Sequence, residues 1–246
     1  MDTRASGLVL GGIQKLTLLD YPGKVACTVF TAGCNMRCPF CHNRDLVFVP
    51  DDLVPVDPDE VLELLEKRKG VLDGLAVTGG EPLMHAGLPD FLKKVKDIGY
   101  LVKLDTNGMF PERLEAVIDA GLVDYVAMDL KNSPELYAVT CGLPEGTEIM
   151  PKIRKSIEIL RSGKVEHEFR TTVVRQLHTA ESLMRAAEEI RGEENYFLQQ
   201  FEDSGHCIEE GFTAYSAAEM RELEASVRTI IPTARLRGIK EEKKDV

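Results

Sequence analysis

Six short apolar or alternating runs, each ending in a polar or glycine-rich loop and followed by a helical pattern, recur along this 246-residue sequence. They are Val25 to Phe30, Gly74 to Thr78, Tyr100 to Asp105, Tyr125 to Leu130, Glu166 to Val174 and Asn195 to Phe201. Strands that alternate with helices pair in parallel through right-handed crossovers. The predicted fold class is therefore α/β, either an open doubly wound sheet or a partial barrel. In both, chemistry gathers at the carboxyl ends of the strands. The unusual polar clusters of this chain fall at those ends.

Helix signals support the alternation. Asp57, Pro58, Asp59 and Glu60 supply a cap, a first-turn proline and early acids ahead of Val61, Leu62, Leu64 and Leu65, with Gly70 as the stop. Further helices are predicted over Leu88 to Ile98, Pro111 to Ala120, Lys152 to Arg161, Thr179 to Ile190 and Ser216 to Ile231. In the last, Ser216 and Glu219 are spaced as a capping box and Pro232 closes the run. Residues 8–20 are expected to form a small hairpin beside the first strand, within one domain over 1–239. Residues 240–246 read as a charged tail.

Charge narrows the function classes. The chain has 30 Lys and Arg against 41 Asp and Glu, a net charge of −11, the wrong sign for a protein that binds nucleic acid through its phosphates. No apolar run reaches the ~18 to 20 residues that span a bilayer, so no membrane role is expected. The first residues show no export signal, so the expected location is cytoplasmic. Six cysteines in such a chain are expected to be reduced, which favours a metal site over disulfides.

Three of those cysteines, Cys34, Cys38 and Cys41, fall within eight residues, while Cys27, Cys141 and Cys207 are scattered and read as buried or incidental thiols. Pro39 keeps the Cys34-Asn-Met-Arg-Cys38-Pro-Phe-Cys41 stretch from being a regular helix. Soft thiolates suit zinc or iron-sulfur clusters. Zinc needs a fourth ligand, which His42 offers awkwardly from the residue next to Cys41. Cys38-Pro-Phe-Cys41-His42 also matches a c-type haem attachment pattern, and Cys38 with Cys41 could form a redox dithiol. A four-iron cluster on three cysteines uses all three and leaves one iron open.

The CxxxCxxC spacing, with Phe40 before the third cysteine, resembles the signature of the radical S-adenosylmethionine (SAM) superfamily. Gly79-Gly80-Glu81-Pro82 after the second strand, Asp105-Thr106-Asn107-Gly108 after the third and Met128-Asp129-Leu130-Lys131 on the fourth resemble motifs of the glycyl-radical-enzyme activases. In detail the chain looks like the anaerobic ribonucleotide reductase activating type, itself similar to pyruvate formate-lyase activating enzyme. The resemblance covers roughly Leu8 to Gly238 and implies a partial (β/α)6 TIM-like barrel with parallel strands.

It also implies a [4Fe-4S] cluster on Cys34, Cys38 and Cys41 whose open iron chelates SAM and whose electron breaks the bond from sulfur to C5′, giving methionine and a 5′-deoxyadenosyl radical. That radical must be shielded from water and stray hydrogen donors. Phe40, Gly79, Gly80, Glu81, Asp105, Thr106, Asn107, Asp129, Lys131, Arg170, His178 and Gln199 are the implied cofactor contacts. Asp20 is similar to an acid that joins those matching Asp105 and Asp129 around a monovalent cation, so Na+ or K+ is expected there. The implied partner is a glycyl radical enzyme, foremost an anaerobic ribonucleotide reductase, with reduced flavodoxin or ferredoxin as electron donor. Arg175 stands where relatives often carry proline, which puts the loop after the fifth strand in question. Two rival readings are a radical SAM enzyme acting on a small-molecule or deazapurine-type substrate, and a non-catalytic zinc-binding module.

Overall fold

The structure is a computed structural model that describes residues 7–203 and 205–240. In chain order the elements are β1 (Leu10–Thr17), β2 (Ala26–Thr31), α1 (Arg44–Val47), α2 (Pro58–Lys67), β3 (Gly74–Gly79), a 3₁₀ turn at Pro82–Met84, α3 (Leu88–Ile98), β4 (Leu101–Thr106), α4 (Pro111–Asp119) and β5 (Tyr125–Asp129). There follow α5 (Tyr137–Thr140), α6 (Met150–Arg161), β6 (Glu166–Val173), α7 (Ala180–Glu189), β7 (Tyr196–Gln200), α8 (Ala217–Val227) and β8 (Arg235–Arg237). The architecture is α/β, with a mostly parallel, unclosed sheet whose strand order follows the chain from β1 to β8. This is the partial TIM-like class expected. Among the described residues no helix is long and apolar enough to cross a membrane.

The chain divides into two compact units. The first holds residues up to Asn35, 45–127 and 158–167. In it β2 pairs in parallel with β3 and β3 with β4, while β1 lies antiparallel on β2. Leu75, Ala76 and Val77 of β3 are buried on both faces, as a parallel strand covered by helices requires. Those covers come from Val61 and Leu65 of α2, from Phe91, Leu92 and Val95 of α3, and from Leu114 and Val117 of α4. The Asp57 carboxylate caps α2 by accepting from the Asp59 N–H, and Gly99, at φ +105, closes α3 in the left-handed region. Asp124 ties the loop before β5 to its neighbours by accepting from the Val102 N–H at 2.7 Å and pairing with Lys96 at 2.6 Å.

The second unit holds 36–44, 128–157 and 168 onward. Here β6 pairs in parallel with β7, and β7 with β8. Thr179 with Ser182, and Ser216 with Glu219, form capping boxes on α7 and α8. Glu168 is buried at 1% exposure and is held by a bidentate Arg237 at 2.6 and 2.8 Å, the arrangement a buried carboxylate needs. Arg237 also lies 3.7 Å from the Phe197 ring centroid.

Four sequence expectations change. Within residues 8–20 the strand is β1, Leu10–Thr17, paired antiparallel with β2 rather than folded into a hairpin of its own, because alternation alone does not name a strand's partner. The sheet has eight strands instead of six, the last being the three-residue β8, too short and too charged to show as a periodic run. The final helix ends at Val227, four residues before Ile231. The helix read from Lys152 begins at Met150. Of the expected tail 240–246, all but Lys240 lies outside the described residues.

Candidate active site

The CxxxCxxC loop begins in the first unit with Cys34 and continues in the second with Cys38 and Cys41. In the first unit it leaves β2 and is clipped by backbone to the loop that leaves β3. The Gly80 N–H donates to Thr31 O at 2.8 Å, and the Glu81 N–H donates to Gly33 O at 2.9 Å. Both glycines are required by that approach. Gly79 sits at φ +112 with a hypothetical Cβ 2.4 Å from the Thr31 nitrogen, and a Cβ on Gly80 would lie 1.9 Å from Gly33 O.

Glu81 is fully buried, and its carboxylate accepts from the Leu83 N–H at 3.1 Å, the Thr106 hydroxyl at 2.8 Å and the Asn107 N–H at 2.7 Å. Its side chain thus braces the loops after β3 and β4 against each other, and Thr106 is bound into the same brace. Asn107 donates through Nδ2 to Asn35 Oδ1 at 2.8 Å and approaches the Cys34 sulfur at 3.9 Å, while its Oδ1 accepts from the Met109 N–H. Glu81→Ala would strand three buried donors, each worth about 1 to 3 kcal/mol when unsatisfied. We expect a loss of about 4 kcal/mol in a urea-unfolding experiment. A cost below about 1 kcal/mol would show that the brace is not structural.

Asp105 is paired with Lys103, itself only 2% exposed, and Asp20 accepts the Thr28 hydroxyl at 2.6 Å. In the second unit Asp129 is bound by Lys131 at 2.8 Å and by Arg170 at 3.1 Å. Burial would raise the Asp129 carboxyl, but these two cations outweigh it and hold it at about 2. Asp105 and Asp129 each have a cation of their own within their unit. Among the described residues no three or more His, Cys, Asp or Glu side chains gather closely enough to hold a single metal ion.

His178 is fully buried, and both of its ring nitrogens meet backbone. Nδ1 accepts from the Val174 N–H at 3.0 Å, so Nε2 carries the proton and donates to Lys131 O at 2.8 Å. Burial pushes its pKa down, consistent with that neutral tautomer. The imidazole thus ties the Lys131 loop to the turn after β6. Arg175 makes a bidentate pair with Glu219 and lies 4.4 Å from the Tyr215 ring centroid, so the loop that lacks proline is held by a salt bridge and a stacked ring. Gln199, in β7, sits in register between Thr172 and Arg237.

None of the six cysteines is in a disulfide. Cys38 is buried, and the Cys141 thiol, by hydrogen bonding to it, leads the effects that draw its pKa down to about 7, with Lys131 helping. Cys41 is raised by burial. Phe40 is buried, and its carbonyl accepts from the Cys207 thiol at 3.5 Å. Asn132, fully buried, donates to Thr140 Oγ1 at 2.9 Å and Leu177 O at 2.8 Å. Sequence reading missed Asn35, Asn132 and Cys141. Asn132 directly follows the Lys131 motif and could have been included, whereas nothing in the order of residues places Cys141 beside Cys38. Soft donors with a lysine cation nearby fit an iron-sulfur cluster, and the glycine loop lets backbone come close to a ligand.

Comparison with known proteins agrees with this chemistry. Residues 28–187 match the family model of the radical SAM superfamily. Over 205 residues the chain is 34% identical to a Methanocaldococcus jannaschii protein described as "Putative glycyl-radical enzyme activating enzyme", covering 82% of this chain and 83% of that one. A domain of pyruvate-formate lyase-activating enzyme from Bacteroides vulgatus superposes with TM-score 0.52 at 19% identity, over 67% of this chain and 99% of that domain. A radical SAM methyltransferase from Sphaerobacter thermophilus gives TM-score 0.67 at 15% identity, over 90% of this chain and 68% of the other, which supports the fold. These matches set aside the non-catalytic zinc module. The chain belongs to the radical SAM superfamily and is an enzyme homologous to the glycyl-radical enzyme activating enzymes.

Proposed function

We propose that the chain is an activase that generates a glycyl radical on a partner enzyme, foremost an anaerobic ribonucleoside-triphosphate reductase. Cys34, Cys38 and Cys41 would hold a [4Fe-4S] cluster, with the electron delivered by a reduced flavodoxin or ferredoxin. When bound, the cluster supplies the electron that cleaves SAM to methionine and a hydrogen-abstracting 5′-deoxyadenosyl group. The observation that carries the reading is the backbone clip in which Gly80 and Glu81 N–H groups bond Thr31 and Gly33 carbonyls, fixing the loop of Cys34 against the glycine loop.

The residues then divide the work. Gly79 and Gly80 let the loop after β3 pack backbone to backbone on the loop of Cys34, and the carbonyls of this loop would receive the ammonium of the ligand. Lys131 and Arg170 both bind the Asp129 carboxylate, and two cations at this strand end suit the carboxylate end of an amino-acid ligand. Burial would lower the Lys131 ammonium, yet Asp129 and the cysteines nearby raise it well above its usual value, so it stays charged. Glu81 and His178, which the family resemblance places among the cofactor contacts, also hold the loops that carry the others.

The test uses the anaerobically reconstituted protein, dithionite, SAM and the purified reductase. A glycyl doublet by electron paramagnetic resonance, together with 5′-deoxyadenosine, is the expected result. Deoxyadenosine that forms only when a small metabolite replaces the reductase would transfer the assignment to the small-molecule reading.

A further inference from the structure

Lys103, a residue that no motif claims, is a buried lysine on the strand that leads to the Asp105 motif. In register it stands beside Ala76 of β3, and Ala76 beside Thr28 of β2, so the three side chains share one face of the sheet. The opposite face, through Val29, Val77 and Leu104, is apolar and fully buried. The Lys103 ammonium donates to the carboxylate of Asp105, two residues on along β4 and therefore on the same face. The partners differ in access. The Lys103 side chain is 2% exposed and that of Asp105 17%, so the cation is enclosed while the carboxylate stays partly open. Asp105 lies where β4 runs into Thr106, whose hydroxyl bonds Glu81, and Asn107, whose amide approaches the Cys34 sulfur at 3.9 Å. Stability alone does not call for a lysine here, because replacing a buried ion pair by well-packed apolar residues is often neutral or stabilising.

We propose that Lys103 is a positioning residue for SAM: it holds the Asp105 carboxylate in the orientation in which its open side accepts from a donor group of the ligand. The inference rests on the cofactor assignment made above. An ionised carboxylate is acceptor-only and keeps lone pairs for the ligand after one bond to an ammonium. The enclosed ammonium restricts the rotation of that carboxylate and keeps it charged. Lys103 does not itself reach the ligand, and no bond forms or breaks at either residue.

The test is equilibrium binding of SAM, by calorimetry, to the oxidised reconstituted wild type, Lys103→Met, Asp105→Asn and the double variant. Lys103→Met is expected to weaken binding about tenfold, and Asp105→Asn at least as much. On the Asp105→Asn background the lysine change is expected to cost nothing further, because its effect passes through that carboxylate. In 5′-deoxyadenosine formation the KM for SAM of Lys103→Met should rise while kcat stays within about twofold. Lys103→Gln keeps an N–H donor and is expected to recover part of the affinity. An iron-loaded Lys103→Met or Asp105→Asn that binds SAM as the wild type does overturns the inference and leaves the activase reading intact. So does a Lys103→Met loss that persists undiminished on the Asp105→Asn background. If Lys103→Met and Lys103→Gln both fail to fold or to hold iron while the wild type does, the pair is a requirement of the fold and the positioning role is overturned. A wild type with neither cluster nor SAM binding overturns the activase reading, and this inference with it.

Discussion

Replacing Cys34, Cys38 and Cys41 together with Ala is expected to reduce iron from about four per chain to near zero and to abolish 5′-deoxyadenosine formation. Only these three thiols carry the CxxxCxxC spacing, and the Cys38 sulfur, with its pKa drawn down to about 7, is the readier thiolate. The remaining cysteines are otherwise engaged. Cys27 lies in a strand core where burial pushes its thiol up to about 11, and Cys207 donates to a carbonyl. Iron analysis and chromatography after anaerobic reconstitution read both losses, and circular dichroism checks that the variant folds. Four irons retained in the triple variant would place the ligands elsewhere and end the cluster assignment.

Gly80→Ala is expected to be the most damaging single substitution in the first unit. Its Cβ would lie 1.9 Å from Gly33 O and 2.6 Å from the Gly33 carbonyl carbon, both backbone atoms that cannot swing aside. Relief must come from breaking the bond between Glu81 N–H and Gly33 O, with strain passed to Glu81 and its three donors. The expected cost is about 3 kcal/mol or more. For a chain of this size that is a fall in Tm of about 6 to 12 °C, read by thermal unfolding. Gly163→Ala is the matched control. Gly163 has φ +73 and open space around its hypothetical Cβ, so its cost is the left-handed strain alone, about 1 to 2 kcal/mol. Equal costs for the two variants would mean that the clip between the loops carries no stability.

Legibility in the sequence followed range along the chain. The β3 apolar run, the Asp57 cap and the Ser216–Glu219 capping box are local signals, and each appears where the sequence places it. β8 escaped because three residues, two of them arginine, have no period to read; its pairing to β7 comes from register alone. Glu81 is legible by its motif, but its bonds within the protein are not. A buried carboxylate is committed to whichever donors surround it, and two of those donors come from Thr106 and Asn107, some 25 residues on. His178 is likewise legible as a motif residue, while the backbone partners of its two nitrogens are set by the fold. The partners of Asp105 and Asp129 are Lys103 and Arg170, whose side-chain directions are set by strand pleat and packing.

The order of residues alone determined the α/β alternation, the three-thiol loop and the glycine, acid and lysine motifs at strand ends, because those depend on period and spacing along a single strand or turn. Which polar group answers which was decided only by the tertiary structure. The Glu81 carboxylate meets Thr106 and Asn107, and the His178 ring meets Lys131, through contacts between residues far apart in sequence. A buried polar atom must be matched by whatever donor or acceptor the fold brings to it, and distance along the chain carries no record of that meeting.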